Sequence, residues 1–221
     1  MPSFAMTQVP PPLTVPLAYQ DDAFIVANKP PGLLTVPGRG PDKQDCLINR
    51  LLVSHPNSRV VHRLDQPTSG LVIVPQSYEA LRHIGRQFET RTVSKRYIAV
   101  VAGLVEQDEG SVELPLICDW PNRPRQMVDW DNGKAALTHY RVLRRDETNQ
   151  QSRVALTPVT GRSHQLRVHM RELGHPILGD TLYAPEPVIA ASERLLLHAE
   201  YIEFTHPHSD EPVVIESPAG F

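Results

Sequence analysis

The feature that most limits how this chain can fold is a series of short apolar runs of strand length, separated by turn residues. Residues 24–27 form one run, and residues 71–74 form a continuous apolar run that stops at Pro75. Strands that follow one another with few helices between them are typical of antiparallel or mixed sheets, whereas doubly wound sheets alternate strands with helices. We therefore predict an α+β fold with a mixed, mainly antiparallel sheet and flanking helices. The other predicted strands occupy 97–105, 137–143, 154–159 and 195–204.

Two segments carry helical patterns instead. Ser77 is suited to cap a helix in which Arg82 and Arg86 lie one turn apart on a basic face. A second, short helix is expected within 163–173, because Gly174 supplies a natural stop. The residues that recur at helical spacing on the packing face of the first helix are Tyr78, Leu81, Ile84 and Phe88.

The length of the chain, 221 residues, suits one compact domain. Residues 1–16 contain five prolines and few packable side chains, so we expect an extended, poorly ordered lead-in before a folded domain over 17–221. No stretch approaches the roughly 20 apolar residues of a membrane helix, and the start lacks a basic region followed by an apolar run. We therefore expect a cytoplasmic protein without membrane contact.

Cysteine content and net charge argue against several classes of protein. Cys46 and Cys118 have no CxxC partner, so neither a disulfide framework nor a cysteine-rich zinc site is expected. The formal net charge of −3 argues against a protein that binds nucleic acid by bulk attraction. Any nucleic-acid surface must therefore be a local basic patch.

The segment 60–70 places a carboxylate, Asp65, in a turn just before a buried strand. A loop held by a rigid strand can project such a group into a cleft while fixing its position, which suits a catalytic residue. The alternative is a plain polar turn, because Asp and Ser favour turns through local hydrogen bonds. For this segment taken alone, the structural alternative is the more common case.

Two further segments place basic residues beside apolar ones. Tyr97 opens an apolar strand directly after Lys95 and Arg96. In the segment 161–170, the start of the short helix could face phosphate through its backbone N–H groups and Arg162. The alternative is a solvated basic helix face. The two histidines of this segment lack the spacing of a metal-binding helix, so we expect no metal.

Together, the three segments resemble the RluA-type pseudouridine synthases, whose signature His-Arg-Leu-Asp-x-x-Thr-Ser-Gly is matched over residues 62–70. The resemblance implies a single pseudouridine-synthase-type catalytic domain built around an RNA-binding cleft. It continues in the same order over nearly the whole chain. The other matching segments are 28–33, 95–97, 161–169, 174–180 and 195–199.

Within the family, residues 116–124 resemble the members that act on both large-subunit ribosomal RNA and the tRNA anticodon stem-loop. This implies two RNA partners, 23S ribosomal RNA with a uridine-746 type site and tRNA with a uridine-32 type site. A single ribosomal or transfer RNA target is the alternative. No cofactor is implied, and we expect a monomer.

The resemblance also implies roles for individual residues. Asp65 is expected to be the nucleophile, and Arg167 to pair with it and favour its charged form. Tyr97 and Leu166 are expected to sandwich the target ring and exclude water. Arg63 is expected to enter the RNA in place of the extruded uridine, with pairing to a nearby acid as the alternative. Attack on the sugar, attack on the base and elimination all remain open as the first step.

The RNA is expected to meet a basic groove flanked by acidic segments such as 106–113. The side chains expected to bind substrate RNA, besides Arg63 and Leu166, are His62, Arg82, Arg86, Arg91, Lys95, Arg96, Arg123, Arg125 and Arg162.

Two other function classes fit some of these residues. A catalytically silent RNA-binding protein would not need Asp65, Tyr97 and Arg167 together, so their presence counts against it. A glycoside hydrolase would need a second carboxylate across the bond, and no motif nominates one. An RNA isomerase remains the favoured interpretation.

Overall fold

The predicted apolar runs all lie in one nine-stranded sheet of the computed structural model, which describes residues 14–221. The predicted lead-in falls largely on residues 1–13, which lie outside the described part of the chain. The strands are β1 (Leu17–Gln20), β2 (Phe24–Lys29), β3 (Ser69–Pro75), β4 (Ser94–Ala102), β5 (Glu109–Glu113), β6 (Leu116–Cys118), β7 (Gln126–Val128), β8 (Leu137–Asp146), β9 (Gln151–Pro158), β10 (Leu197–Thr205) and β11 (Pro212–Glu216).

The large sheet is mixed and mainly antiparallel, which confirms the predicted fold class. Its order is β1-β2-β3-β10-β4-β9-β8-β5, and β11 pairs with β10. Only β3 and β10 run parallel to each other among these pairs, with Ser69 opposite His198 and Gly70 opposite Ala199. Strands β6 and β7 form a separate two-stranded sheet. The fold is a single domain.

Helices cover both faces of the sheet around β3. Val72 packs in a cluster with Leu47, whereas its neighbour Ile73 packs in a different cluster with Ile84. This alternation buries every residue of β3, as its continuous apolar run predicts. The helices are α1 (Leu47–Ser54), α2 (Tyr78–Glu89), α3 (Gln165–Glu172) and α4 (Glu186–Ala190).

Helix α3 packs against strands β4 and β9. Leu166 and Met170 belong to one buried cluster with Ala99 of β4 and Leu156 of β9. The N-terminal end of α3 therefore lies beside β4. The expected short helix within 163–173 is confirmed.

Gly70 fixes how closely β3 approaches β10. Its φ of +115° is a conformation that side chains rarely adopt, and an added Cβ would lie 2.3 Å from the carbonyl oxygen of Ala199. Glycine is therefore required where the parallel pair begins. This contact anchors the end of the loop that carries Asp65.

The helix after Ser77 forms as predicted, but Tyr78 does not join its packing face. The Ser77 hydroxyl accepts a hydrogen bond from the Ala80 amide, at 3.0 Å. Tyr78 is 69% exposed, and the guanidinium of Arg59 lies 3.8 Å from its ring centroid. The placement of Tyr78 on the packing face was therefore wrong, since the buried residues of α2 are Ala80, Ile84 and Gln87.

Some elements were missed or shifted. Strand β4 ends at Ala102 rather than at 105, because Gly103 turns the chain with a φ of +80°. Helices α1 and α4 and strands β1, β5, β6, β7 and β11 were not predicted. Over the described residues, no helix combines the length and the apolar character needed to cross a bilayer.

Candidate active site

Asp65 lies in the turn before β3, as the sequence predicted, and its loop is tied down on both sides. The Asp65 carbonyl accepts a hydrogen bond from the Thr68 amide at 3.1 Å. The Thr35 hydroxyl donates to the Leu64 carbonyl at 2.8 Å and accepts from the Leu64 amide at 3.1 Å. The Asp65 side chain is 22% exposed. The carboxylate is thus accessible while its backbone is held.

A third anchor of this loop is Lys29, whose side chain is fully buried. Its ammonium donates to the carbonyl oxygens of Pro30 at 3.0 Å, Leu33 at 2.7 Å and Gln66 at 3.1 Å. Burial lowers the pKa of Lys29 to about 7, and the nearby charge of Asp65 opposes that shift. Lys29 was not among the predicted site residues.

The loop opens into a small pocket of about 110 Å³. Tyr97 of β4 and Leu166 at the start of α3 both line it, together with Asp65 and Arg167. The structure therefore brings together the residues that the sequence assigned to one site. Burial, with a smaller effect from the Asp65 charge, raises the pKa of the Tyr97 hydroxyl, so Tyr97 is neutral near pH 7.

Two side chains of the α3 region face the two oxygens of Asp65. Arg167 Nη1 lies 3.8 Å from Oδ2, and His164 Nε2 lies 3.9 Å from Oδ1. Both distances exceed a direct hydrogen bond. The expected pairing of Arg167 with Asp65 is thus present as a longer ionic contact.

The direct partner of Arg167 is Asp180, a residue that the sequence analysis did not nominate. Arg167 donates to it from Nε at 2.8 Å and from Nη2 at 2.6 Å. Burial opposes the charge of Arg167, but the hydrogen bonds and charge of Asp180, together with the charge of Asp65, raise the pKa of Arg167. Two backbone N–H groups, of Leu182 and Tyr183, also donate to Asp180. A fixed anion therefore holds the guanidinium beside Asp65.

Arg63 is exposed and lies on the lining of the pocket. No acidic side chain within residues 14–221 forms an ion pair with it. The alternative of a structural pair with a nearby acid therefore has no support in the described part of the chain. Its guanidinium is available to a ligand.

His62 does not line this pocket, although substrate binding was expected of it. Its Nε2 accepts a hydrogen bond from the Ile73 amide at 2.9 Å, and its ring stacks on Phe88 with centroids 4.7 Å apart. Burial, aided by the charge of Lys95, lowers the pKa of His62 to about 3. The structure therefore places His62 in packing, away from the pocket that Asp65 lines.

Lys95 and Arg96 point to opposite faces of β4, because side chains alternate along a strand. Lys95 lines the pocket with Tyr97 and shares an adjoining cavity of about 310 Å³ with Arg91 and Arg162. Arg96 forms ion pairs with Glu200 at 3.1 Å and Glu216 at 3.3 Å, on the other face. The expectation that Arg96 contacts RNA beside Lys95 is not supported by this placement.

The remaining predicted RNA contacts are exposed but do not line the pocket. Arg82 and Arg86 lie on the outer face of α2. Arg123 lies over the ring of Trp120, 4.7 Å from its centroid, and Trp120 is 65% exposed. Arg125 is exposed next to β7. These residues present basic and aromatic side chains to solvent outside the pocket that Asp65 lines.

A metal-binding cluster is not evident in the part of the chain that the structure describes. No group of three or more His, Cys, Asp or Glu side chains there could hold a metal ion. The described cysteines are both free thiols.

Several known proteins are similar to this chain in sequence and in fold. The family model described as RNA pseudouridylate synthase matches residues 23–172. The dual-specificity RNA pseudouridine synthase RluA of Yersinia pestis is 49% identical over 203 residues, covering 92% of this chain and 98% of the relative. The enzyme of the same name from Escherichia coli (strain K12) is 49% identical over 205 residues, covering 93% of each chain.

Two solved structures have the same architecture. Human RNA pseudouridylate synthase domain containing 1 superposes with a TM-score of 0.78 at 29% identity, covering 93% of this chain and 83% of its own. Human RNA pseudouridylate synthase domain containing 4 gives a TM-score of 0.73 at 25% identity, covering 92% and 88%. This chain therefore belongs to the RNA pseudouridylate synthase family, as an RluA-type enzyme that isomerises uridine to pseudouridine in RNA.

Proposed function

We propose that this enzyme modifies two RNAs, a 23S ribosomal RNA loop and the tRNA anticodon stem-loop, and that Asp65 is its catalytic carboxylate. The observation that carries the proposal is the position of Asp65 in a small pocket beside Tyr97 and Leu166, with Arg167 3.8 Å from its carboxylate. The dual target is supported by the names of the bacterial relatives, which are dual-specificity enzymes.

The pocket suits a single base. Its volume of about 110 Å³ is below the roughly 300–1,000 Å³ of pockets that hold whole small ligands. A uridine stacked inside an RNA must therefore leave its stack to reach Asp65, at a cost of a few kcal/mol. Arg63, exposed at the pocket, fills the gap in the RNA, since a guanidinium plane stacks on bases and binds phosphate.

The reaction moves uracil from an N-glycosidic to a C-glycosidic link. The bond between N1 and the sugar breaks, the freed base turns, and C5 bonds to the sugar. The C5 proton then leaves and N1 takes up a proton, so the product has the same composition as uridine. An ionised carboxylate can start this sequence by attack on the sugar or the base, or by assisting elimination. Arg167 favours the ionised form of Asp65. Tyr97 and Leu166 hold the ring and exclude water from the intermediate.

The chain's own residues supply this chemistry, so we propose that no cofactor or metal takes part. We also propose that the enzyme acts as a monomer, because the described residues of one chain line the pocket. We further propose that the reaction takes place in the cytoplasm, with the two proposed RNA targets.

The dual target is tested by reacting the enzyme with two RNA fragments and mapping pseudouridine in each at nucleotide resolution. We expect one pseudouridine in the tRNA anticodon loop, at a uridine-32 type site, and one in the 23S fragment, at a uridine-746 type site. Modification of one fragment alone would replace dual specificity by a single target. Release of free uracil would contradict isomerisation and favour a hydrolase.

A further inference from the structure

Two hydrogen bonds and one longer polar contact connect strand β7 to Asp65 through two side chains outside the proposed catalytic trio. The backbone N–H of Gln126 donates to the Tyr183 hydroxyl at 2.7 Å. The same hydroxyl lies 2.7 Å from Nδ1 of His164. The other ring nitrogen of His164, Nε2, lies 3.9 Å from Oδ1 of Asp65. The imidazole thus bridges a fixed hydroxyl and the carboxylate.

The direction of these hydrogen bonds is assigned from the donors and acceptors around the Tyr183 hydroxyl. A backbone N–H can only donate, so the Tyr183 oxygen accepts from Gln126. Within residues 14–221, Nδ1 of His164 is the other hydrogen-bond partner of this buried hydroxyl, so we assign the hydroxyl hydrogen to that contact. Nδ1 of His164 is then the acceptor, and a neutral imidazole carries its hydrogen on Nε2. The hydrogen bond from Tyr183 therefore favours the tautomer of His164 in which the Nε2–H faces Asp65.

The surroundings keep His164 neutral. Burial lowers its pKa, and the charges of Arg167 and Arg63 lower it further, against the opposite effects of Asp65 and Asp180. A neutral imidazole has one N–H, so the ring nitrogen that carries the hydrogen decides whether His164 can donate to Asp65. A hydrogen on Nδ1 instead would turn a lone pair toward the Asp65 carboxylate.

The backbone at His164 also fixes the ring. Its φ of +54° is uncommon for a residue other than glycine, and it precedes the first residue of α3. The ring packs edge-on against Tyr183, with centroids 5.6 Å apart. His164 therefore holds one orientation, with 12% of its side chain exposed.

We propose that His164 is a positioning residue for Asp65, and that Tyr183 sets the tautomer that makes it one. The inference rests on the proposed role of Asp65. His164 faces Oδ1 with a neutral N–H donor, while Arg167 faces Oδ2 with a cation. Two donors on separate oxygens fix the rotation of the carboxylate. Both contacts shorten when RNA closes the pocket, as catalytic hydrogen bonds often do.

The first test is the tautomer of His164, read from imidazole nitrogen shifts in uniformly ¹⁵N-labelled enzyme. We expect wild type to hold the hydrogen on Nε2, and Tyr183→Phe to populate both tautomers. A hydrogen on Nδ1 in wild type would overturn the proposal. This measurement needs no RNA and is independent of whether the enzyme is active.

The second test compares kcat and KM for pseudouridine formation. Tyr183→Phe and His164→Leu should lower kcat about tenfold with KM for RNA unchanged, because an interaction needed only for the chemical step is lost. His164→Gln, which retains an amide N–H donor, should recover most of the loss. Equal defects in the Gln and Leu variants would contradict a donor role.

The control is His139→Gln, an exposed histidine of β8 that lies outside the pocket and should leave kcat unchanged. Absence of pseudouridine from wild type would refute the proposed function itself. A wild type that is active but insensitive to Tyr183→Phe and His164→Leu would refute this inference alone.

Discussion

The buried guanidinium of Arg167 donates two hydrogen bonds to the carboxylate of Asp180, at 2.8 and 2.6 Å. This pair leaves Nη1 of Arg167 directed to Asp65, 3.8 Å away. The cation beside the proposed catalytic carboxylate is therefore held by a second carboxylate, with both members of the pair almost fully buried.

Loss of this pair should be costly. Asp180→Asn leaves Arg167 as a buried charge without a full partner, so we expect the free energy of unfolding to fall by about 3–5 kcal/mol. Asp108→Asn is the matched control, because its carboxylate is 84% exposed and pairs with Arg145 at the surface. That change should cost at most about 1 kcal/mol. Urea unfolding measures both, and equal losses would contradict the account.

Arg63 should contribute to activity on RNA and not to the free energy of unfolding. It is exposed and forms no ion pair within the described residues, so Arg63→Ala should change the free energy of unfolding by less than about 0.5 kcal/mol. We expect kcat/KM to fall by about 10- to 100-fold, since the extruded base leaves an unfilled gap.

The control for Arg63 is Arg141→Ala, because Arg141 is also an exposed arginine but pairs with Glu109 and does not line the pocket. Stability follows from urea unfolding, and kcat/KM from pseudouridine formation on the anticodon fragment. An Arg63→Ala enzyme as active as the Arg141→Ala enzyme would exclude Arg63 from the RNA interface.

Lys29 should make stability depend on pH. Burial lowers its pKa from 10.5 to about 7 in the folded protein, so between these values the unfolded chain binds more protons. Stability contributed by this group therefore rises with pH above about 7, by up to about 1.4 kcal/mol per pH unit. Below pH 7 both states are protonated and the dependence on pH ends.

The measurement is the difference in unfolding free energy between wild type and Lys29→Met at pH 7, 8 and 9. Other titrating groups cancel in this difference. We expect the difference to move in favour of wild type as pH rises. A constant difference would show that Lys29 has the same proton affinity in both states.

The features that could be predicted from the sequence are those that depend on local residue patterns. A continuous apolar run ending at Pro75 gave the buried strand β3, and Ser77 gave the start of α2. The position of Asp65 before β3 followed from the same pattern. Alternation along a strand would also have placed Arg96 on the opposite face from Lys95, so that correction needed no structure.

Other features depend on contacts between distant parts of the chain. Asp180 meets Arg167, and Tyr183 meets Gln126, only after the strands and helices have packed. The role of Lys29 depends on a hydrogen bond from its ammonium to the carbonyl of Gln66, 37 residues away in the chain. Periodicity and turn composition carry no signal for such pairs. Lys29 and Asp180 lie in segments that match the family, but the resemblance assigned neither of them a role.

The most direct test of the central claim is tritium release from RNA labelled at uracil C5. Isomerisation replaces the C5 proton, so wild type should release tritium from both the anticodon stem-loop and the 23S fragment. Asp65→Asn, which keeps the shape of the side chain but not its charge, should release none while still binding RNA. Release by Asp65→Asn at the wild-type rate would contradict the role of Asp65 as the catalytic carboxylate.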